Sequence, residues 1–157
     1  MNKIVIGFIV MLSFSFIACN ENVFYNKKYD ISENTWNYED TLSFNVNISD
    51  TSQLYNLYFS IKNTEEYQNS NLWLFITTSS PDGYMIKDTL EFFLSDDLGK
   101  WFGKKSSDNF ITYHYFKRQV IFPVKGKYSF VIQQGMRQLD LYGINKFGLI
   151  IKKSGEK

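Results

Sequence analysis

The chain has 157 residues, with 17 basic and 16 acidic side chains, one cysteine, one histidine and 18% aromatic residues. A chain so close to neutral lacks the positive excess typical of nucleic-acid-binding proteins, and we exclude nucleic acid as a partner. A single cysteine excludes an internal disulfide, and with one histidine it leaves no common zinc site.

The N-terminus predicts an export signal. The chain starts with Met1-Asn2-Lys3, which is short and positively charged. Residues 4–17 then form an apolar run that is shorter than the roughly 20 residues a membrane-spanning helix needs. The run ends at Ala18-Cys19, a small residue directly before a cysteine. We therefore predict that residues 1–18 are a cleaved signal peptide and that Cys19 is lipidated. The alternative is an ordinary signal peptide cleaved elsewhere, which leaves a free thiol.

Several acyl chains on Cys19 anchor a protein stably, whereas a single chain binds a membrane only marginally. Residues 19–40 are polar and mixed, and we interpret them as the lipidated cysteine and a tether leading into the domain, with Trp36 as an early core contact. Residues 41–157 are predicted to form one domain, since this length buries a single core.

Strands are predicted from period-two alternation of apolar and polar residues. The runs 42–48 and 55–61 alternate cleanly about a polar segment, which predicts a hairpin. Residues 72–76 are apolar on both faces and predict a central strand with Trp73 in the core. The turn Pro81-Asp82-Gly83 predicts a second hairpin from Leu72 to Leu94.

The second half of the chain continues in short strands. Residues 95–99 are predicted to form a single helical turn with Ser95 as its N-cap, and a polar loop follows at 103–109. Further strands are expected near 111–115, 118–122, 128–132 and 147–152.

The predicted fold is all-β: an antiparallel β-sandwich of about eight or nine strands, jelly-roll-like or immunoglobulin-like. Short strands separated by turn signals, with no helical period of useful length, indicate this class.

Four groups of short motifs occur in a characteristic order along the mature chain. They are Tyr55-Asn56-Leu57-Tyr58 with Lys62-Asn63-Thr64; Tyr67-Gln68-Asn69-Ser70-Asn71-Leu72; Pro81-Asp82-Gly83 with Asp88-Thr89-Leu90-Glu91 and Asp96-Asp97-Leu98-Gly99-Lys100-Trp101-Phe102-Gly103; and Phe122-Pro123 with Gly126-Lys127-Tyr128, Gln133-Gln134-Gly135-Met136-Arg137 and Gly143-Ile144. With the lipoprotein leader, they make the chain resemble the GldH family of gliding-motility lipoproteins of Bacteroidetes. The resemblance implies an accessory lipoprotein, not an enzyme, needed for gliding and tied to type IX secretion, with envelope proteins of that apparatus as partners.

Catalytic chemistry is poorly represented. His114 lies in an aromatic strand, Tyr113-His114-Tyr115, where a packed histidine is the favoured interpretation. Asp96 and Asp97 could join Asp88 or Glu91 in a Ca²⁺ site or an acid/base pair, but we favour a solvated turn. We expect no catalytic residue, no metal and no cofactor.

Candidate contact residues come from loops. Trp101, flanked by glycines in a loop, and its neighbour Lys100 are predicted to contact a partner. Arg137 could bind a carboxylate of a partner, or form an internal salt bridge with Asp140. Thr41 and Thr89 follow aspartate and precede leucine, a short O-glycosylation pattern, although both could simply mark strand starts.

We expect a lipid-anchored envelope protein that acts by binding proteins, placed at the outer membrane and facing the periplasm. Asn20 after the cysteine lacks the aspartate linked to inner-membrane retention, and the tether lacks an acidic surface-export signal. The alternative function is a glycan-binding surface lipoprotein, since exposed tryptophans stack on sugar rings.

Overall fold

Alternating apolar and polar side chains produce two packed antiparallel sheets. The structure is a computed structural model and describes residues 22–155. Its strands are β1 Val23–Asp30, β2 Thr35–Asn37, β3 Leu42–Ile48, β4 Tyr55–Thr64, β5 Asn71–Ser79, β6 Met85–Phe93, β7 Lys104–Ser106, β8 Asn109–Val120, β9 Gly126–Gln134, β10 Asp140–Tyr142 and β11 Ile144–Lys153. One 3-10 turn, Ser32–Asn34, separates β1 from β2.

The strands form a sandwich with jelly-roll connections. A five-stranded sheet has the order β1-β11-β4-β8-β7, a four-stranded sheet has the order β3-β9-β5-β6, and β2 pairs with β10. Among the long strands, only β5 and β6 are joined within one sheet; the other connections cross between the sheets, as in a double Greek key. The predicted all-β antiparallel sandwich is confirmed. The structure has eleven strands, whereas the sequence predicts eight or nine. The difference arises because β2, β7 and β10 have only three residues each, which is too short to show a period-two pattern.

The core lies between the two inner faces and is rich in aromatic rings. Phe59 of β4 is fully buried and packs against Phe116 and Phe147, with ring centroids 4.8 and 5.1 Å away. Phe116 in turn meets Phe130 of the facing sheet at 6.5 Å, edge to face. Such pairs contribute about 0.5–1.5 kcal/mol beyond the area they bury, so the two sheets are held in register by their rings.

The predicted hairpin between residues 42–48 and 55–61 is wrong. Strand β3 pairs with β9, while β4 lies in the other sheet between β11 and β8. Period-two alternation shows that each strand has one buried face, but it does not say which strand lies alongside. The second predicted hairpin is confirmed, because β5 pairs with β6 with Leu74 opposite Leu90.

Of the two tryptophans predicted to lie in the core, one is buried and the other is exposed. Trp36 is buried as expected, and its indole N–H donates to the Asp40 carbonyl at 2.9 Å. The prediction that Trp73 is a core residue is wrong, since its side chain is 38% exposed. Leu72 and Leu74 point inward on β5, so Trp73 between them must point to the outer face.

The folded domain begins well before residue 40, where the predicted tether ends. Strand β1 begins at Val23 and pairs along β11, so much of the expected 19–40 tether lies inside the sandwich. The predicted signal peptide, residues 1–18, and Cys19 lie outside the described residues. Within residues 22–155, no helix is long and apolar enough to cross a membrane.

Candidate functional site

Loops gather at two opposite ends of the sandwich. At one, here called the N-terminal end, Asn22 lies beside Lys153, whose N–H donates to the Asn22 carbonyl at 2.8 Å, and the connections 49–54, 80–84 and 121–125 lie around them. The opposite, distal end is formed by the connections 31–41, 65–70, 94–108 and 135–143. The predicted contact residues Lys100, Trp101 and Arg137 all belong to the distal end.

Lys100 lies in a tight turn organised by Asp96. The Asp96 carboxylate accepts hydrogen bonds from the backbone N–H groups of Leu98 and Lys100, at 3.0 and 2.8 Å. Gly99 closes the turn with a φ of +79°, a left-handed conformation that favours glycine. The predicted helical turn capped by Ser95 is therefore wrong. Ser95 instead forms an isolated bridge with Trp101, and Lys100 is exposed.

Trp101 is half-buried rather than free. Its ring lies between those of Tyr67 and Phe110, with centroids 6.2 and 5.9 Å away. Part of the indole therefore packs the 94–108 connection against the core. A role in contacting a partner stays a prediction for the exposed part of this ring.

Arg137 lies in an open groove on the outer face of the four-stranded sheet. The groove, with a volume of about 470 Å³, combines two exposed rings with amide side chains and one cation. We call it the aromatic groove; it is lined by Asn69, Asn71, Trp73, Phe75, Thr89, Gly135, Met136, Arg137 and Gln138. Trp73 and Phe75 are 38% and 40% exposed, so the floor of the groove is an aromatic platform.

A buried glutamine holds the loop that carries Arg137. The Gln134 side chain is fully buried; its Nε2 donates to the carbonyl of Gln138 at 2.9 Å, and its Oε1 accepts from the N–H of Met136 at 2.8 Å. Next to it, the Gly135 N–H donates to the Trp73 carbonyl at 2.7 Å. Because the loop is held to its own strand and to β5, the backbone of Arg137 is fixed beside the platform.

The expected internal salt bridge of Arg137 with Asp140 is wrong. Within residues 22–155, the ion pairs are Lys105–Glu65, Lys117–Asp88 and Lys146–Asp30. The Asp140 carboxylate instead accepts from the Asn37 side chain at 2.6 Å. Arg137 is exposed, and within the described chain no carboxylate neutralises it, so its charge is available to a ligand in the aromatic groove.

The two threonines of the O-glycosylation pattern are both exposed. Thr41 directly precedes β3, and Thr89 lies opposite Phe75 in the β5–β6 ladder. A glycan on Thr89 would therefore cover part of the aromatic groove. Whether either residue is modified stays a prediction.

The carboxylates considered for metal or acid/base chemistry are separated. Asp88 pairs with Lys117 at 3.1 Å, Glu91 accepts a hydrogen bond from Asn71, and Asp96 serves its own turn. Over residues 22–155, no group of three or more histidine, cysteine, aspartate or glutamate side chains could hold a metal ion.

His114 is half-buried beside the Phe92 ring, at 5.3 Å, and burial lowers its pKa. One ring nitrogen, Nε2, lies 3.0 Å from the Thr112 hydroxyl. This environment favours the neutral imidazole and suits a packed histidine.

A second concave feature lies at the N-terminal end, between the sheets. This cavity has a volume of about 320 Å³, and its walls are mostly apolar, formed among others by Leu57, Ile86, Val120 and Phe122. Tyr84 and Ile121 lie at its rim with high exposure.

Sequence reasoning found Arg137 but missed the ring platform beside it. The signal was present, because Leu72, Leu74 and Ile76 share one parity and Trp73 and Phe75 share the other. Apolar character on both faces predicts burial on both faces. In fact the outer face of this sheet is uncovered at Trp73 and Phe75.

Comparison with known proteins identifies the family. The sequence matches the family model described as GldH lipoprotein over residues 23–151. It is 32% identical over 146 residues to the "Gliding motility lipoprotein GldH homolog" of Christiangramia forsetii, covering 88% of this chain and 89% of the relative. It is also 25% identical over 132 residues to the "Gliding motility lipoprotein GldH" of Flavobacterium johnsoniae, covering 84% and 81%. The chain therefore belongs to the GldH lipoprotein family.

Proposed function

We propose that this protein is a membrane-anchored accessory lipoprotein of the gliding machinery, that it is not an enzyme, and that it binds protein partners. Both curated relatives carry gliding motility in their names, and the match spans nearly all of the described domain. The partners we propose are envelope proteins of the gliding and type IX secretion apparatus.

The anchor is the lipidated Cys19, which holds the domain at the cell envelope. We place it at the outer membrane, facing the periplasm. Only two residues, Asn20 and Glu21, separate Cys19 from Asn22, so the three residue steps between them span about 10 Å when fully extended. Tethering this short raises the effective concentration for weak contacts made close to the membrane.

The aromatic groove is the observation that carries the binding proposal. Trp, Tyr and Arg dominate the residues that contribute most to protein interfaces, and here Trp73 and Arg137 border one groove. The guanidinium is the cation of the groove and suits a carboxylate on the partner. Because Asn69 and residues 135–138 of the groove belong to distal connections, the groove lies in the part of the sandwich away from the tether.

The first experiment is a deletion of the gene in its host, complemented by variants and scored for colony spreading and for secretion of type IX cargo. The variants are wild type, Cys19→Ala, and the double change Trp73→Ala with Arg137→Ala. Tyr113→Ala is the matched control, because Tyr113 is an exposed ring on the other sheet, 58% accessible and outside the groove.

Wild type and Tyr113→Ala are expected to restore spreading, while Cys19→Ala and the groove variant are expected to fail at equal protein level. Secretion measured in the same strains tells whether the lesion lies in export or in movement. Restoration by the groove variant would refute the groove as the contact site. Normal spreading in the deletion strain would refute the motility function itself.

A glycan-binding function is favoured by one specific observation. Trp73 and Phe75 present exposed ring surface beside the side chains of Asn69, Asn71 and Arg137, which is chemistry that also binds sugars. Trp73 is the most exposed tryptophan of the described chain, so its fluorescence would report the ligand. Saturable quenching of this fluorescence by a glycan, absent in Trp73→Phe, would favour glycan binding over protein binding as the function.

A further inference from the structure

The N-terminal end of the sandwich carries an exposed apolar cluster. Tyr84, Ile86 and Ile121 are 67%, 40% and 51% exposed, and all three line the mouth of the same cavity, so they are neighbours. Monomeric domains rarely leave adjacent large apolar side chains in water without a binding purpose. The cluster therefore indicates a surface that binds another molecule or a membrane.

The start of the described chain lies at the same end. Beyond the Asn22–Lys153 bond, the Ser154 N–H donates to the Leu54 carbonyl at 2.8 Å, and Leu54 is itself exposed. The Phe24 ring contacts Tyr55 at 5.0 Å, and Tyr55 contacts Phe122 at 5.4 Å, which leads directly to the cavity wall. A lipid on Cys19, about 10 Å from Asn22 at most, holds this end against the bilayer.

Charge differs between the two ends. The N-terminal end is taken here with the strand residues that adjoin it, as the segments 49–54, 80–86, 121–127 and 152–155. These segments carry two acidic side chains, Asp50 and Asp82, and four basic ones, Lys125, Lys127, Lys152 and Lys153. The distal segments 31–41, 65–70, 94–109 and 135–143 carry nine acidic side chains and four basic ones. An anionic membrane surface attracts the first end and repels the second.

We propose that the N-terminal end is a membrane-docking surface for the bilayer that holds Cys19. Tyr84, Ile86 and Ile121 enter the interfacial region, while the four lysines meet anionic headgroups. Apolar insertion and charge attraction add to the anchor, so they set the orientation of the domain. The aromatic groove, which adjoins the distal connections, then lies at a distance from this membrane. The inference rests on the proposed lipidation of Cys19, which is tested separately below.

The test uses the lipidated chain, purified from membranes and reconstituted into vesicles of phosphatidylglycerol and phosphatidylethanolamine. Cys19 is the only cysteine, and lipidation blocks its thiol, so Ile121→Cys adds a unique site for an environment-sensitive fluorophore. Leu139→Cys is the matched control, because Leu139 is 71% exposed on a distal connection.

The label at position 121 is expected to brighten about twofold or more on reconstitution and to be quenched by nitroxide lipids but not by aqueous iodide. The label at position 139 is expected to show the opposite quenching. Equal quenching at the two positions would overturn the proposal. Protection at position 121 from both quenchers would also overturn it, since a protein, such as a second copy of this chain, would then cover the surface.

Intact mass of the purified chain decides the lipidation by itself. A chain that carries Cys19→Ser and is produced without residues 1–18, mixed with the same vesicles, isolates the surface from both the lipid and the apolar leader. It is expected to sediment with anionic vesicles and to be released by salt or by Tyr84→Asp with Ile121→Asp. Failure to sediment more with anionic than with zwitterionic vesicles would overturn the role of the lysines, whatever the mass shows.

Discussion

The backbone of Gly143 lies directly against the backbone of Tyr67: a Cβ on Gly143 would come within 2.7 Å of the Tyr67 Cα. Gly143 also has a φ of +96°, its carbonyl accepts from the Thr64 N–H at 2.8 Å, and its own N–H donates to the Asn34 carbonyl at 2.8 Å. Three distal connections are thus joined at one glycine.

Gly143→Ala is therefore expected to lower the free energy of unfolding by more than about 2 kcal/mol, since backbone strain of about 1–3 kcal/mol is added to a clash with backbone atoms. Gly83→Ala is the control: Gly83 has a φ of +87°, but a Cβ there meets no atom within 4 Å. Urea unfolding of both variants measures the difference. Equal losses would mean that the contact with Tyr67 contributes nothing beyond backbone strain.

Gln134→Ala is expected to cost about 1–3 kcal/mol, because it leaves the Met136 N–H and the Gln138 carbonyl without their buried partner. Amide exchange should rise most in residues 135–139, which carry Arg137. The neighbouring Gln133→Ala is the control, since Gln133 is only half-buried and donates to the Tyr38 carbonyl at 2.7 Å. Exchange unchanged in this loop would show that other contacts hold Arg137 in place.

Trp101→Ala is expected to destabilise the fold by about 1–2 kcal/mol, because a half-buried indole loses its contacts with Tyr67 and Phe110. Phe102→Ala should cost less than about 1 kcal/mol, since Phe102 is 43% exposed. A loss of motility in Trp101→Ala therefore indicates a contact role only if the unfolding midpoint of the same variant shows that the domain is still folded. Trp101→Phe keeps a ring at this position. If this variant recovers the stability of the wild type but not its motility, the indole acts in partner recognition and not only in packing.

Alkaline pH should weaken the fold through Tyr67. Its hydroxyl donates to the Asn71 carbonyl at 2.7 Å, and burial raises its pKa well above the ordinary value of 10.0. A pKa raised in the folded state contributes stability that is complete below the unfolded pKa, about 10, and is lost as pH rises from there through the folded pKa. Urea midpoints followed from neutral to alkaline pH should fall less steeply for Tyr67→Phe than for wild type. Parallel curves would show that Tyr67 does not cause the alkaline loss.

The residues of the candidate groove show what could be predicted and what could not. Arg137 is a candidate from sequence because it follows an irregular segment, and it lines the aromatic groove in the structure. The sequence predicts Trp73 in the core, because two apolar faces on one strand normally indicate burial on both sides. Within residues 22–155, the outer face of β5 has no further layer over Trp73 and Phe75, which stay 38% and 40% exposed, and only the layer arrangement reveals that.

Local pattern alone determined the strand class and the buried parity of β3 and β4, because each depends on residues close together in the chain. The export leader is likewise predicted from local pattern, and it stays a prediction. The partner of each strand was decided by the tertiary structure, since connections such as 49–54 cross from one sheet to the other. The same crossings gather the predicted contact residues at one end and Asn22 at the other. The groove joins side chains from β5, β6 and the 135–143 connection, which no short-range pattern can bring together.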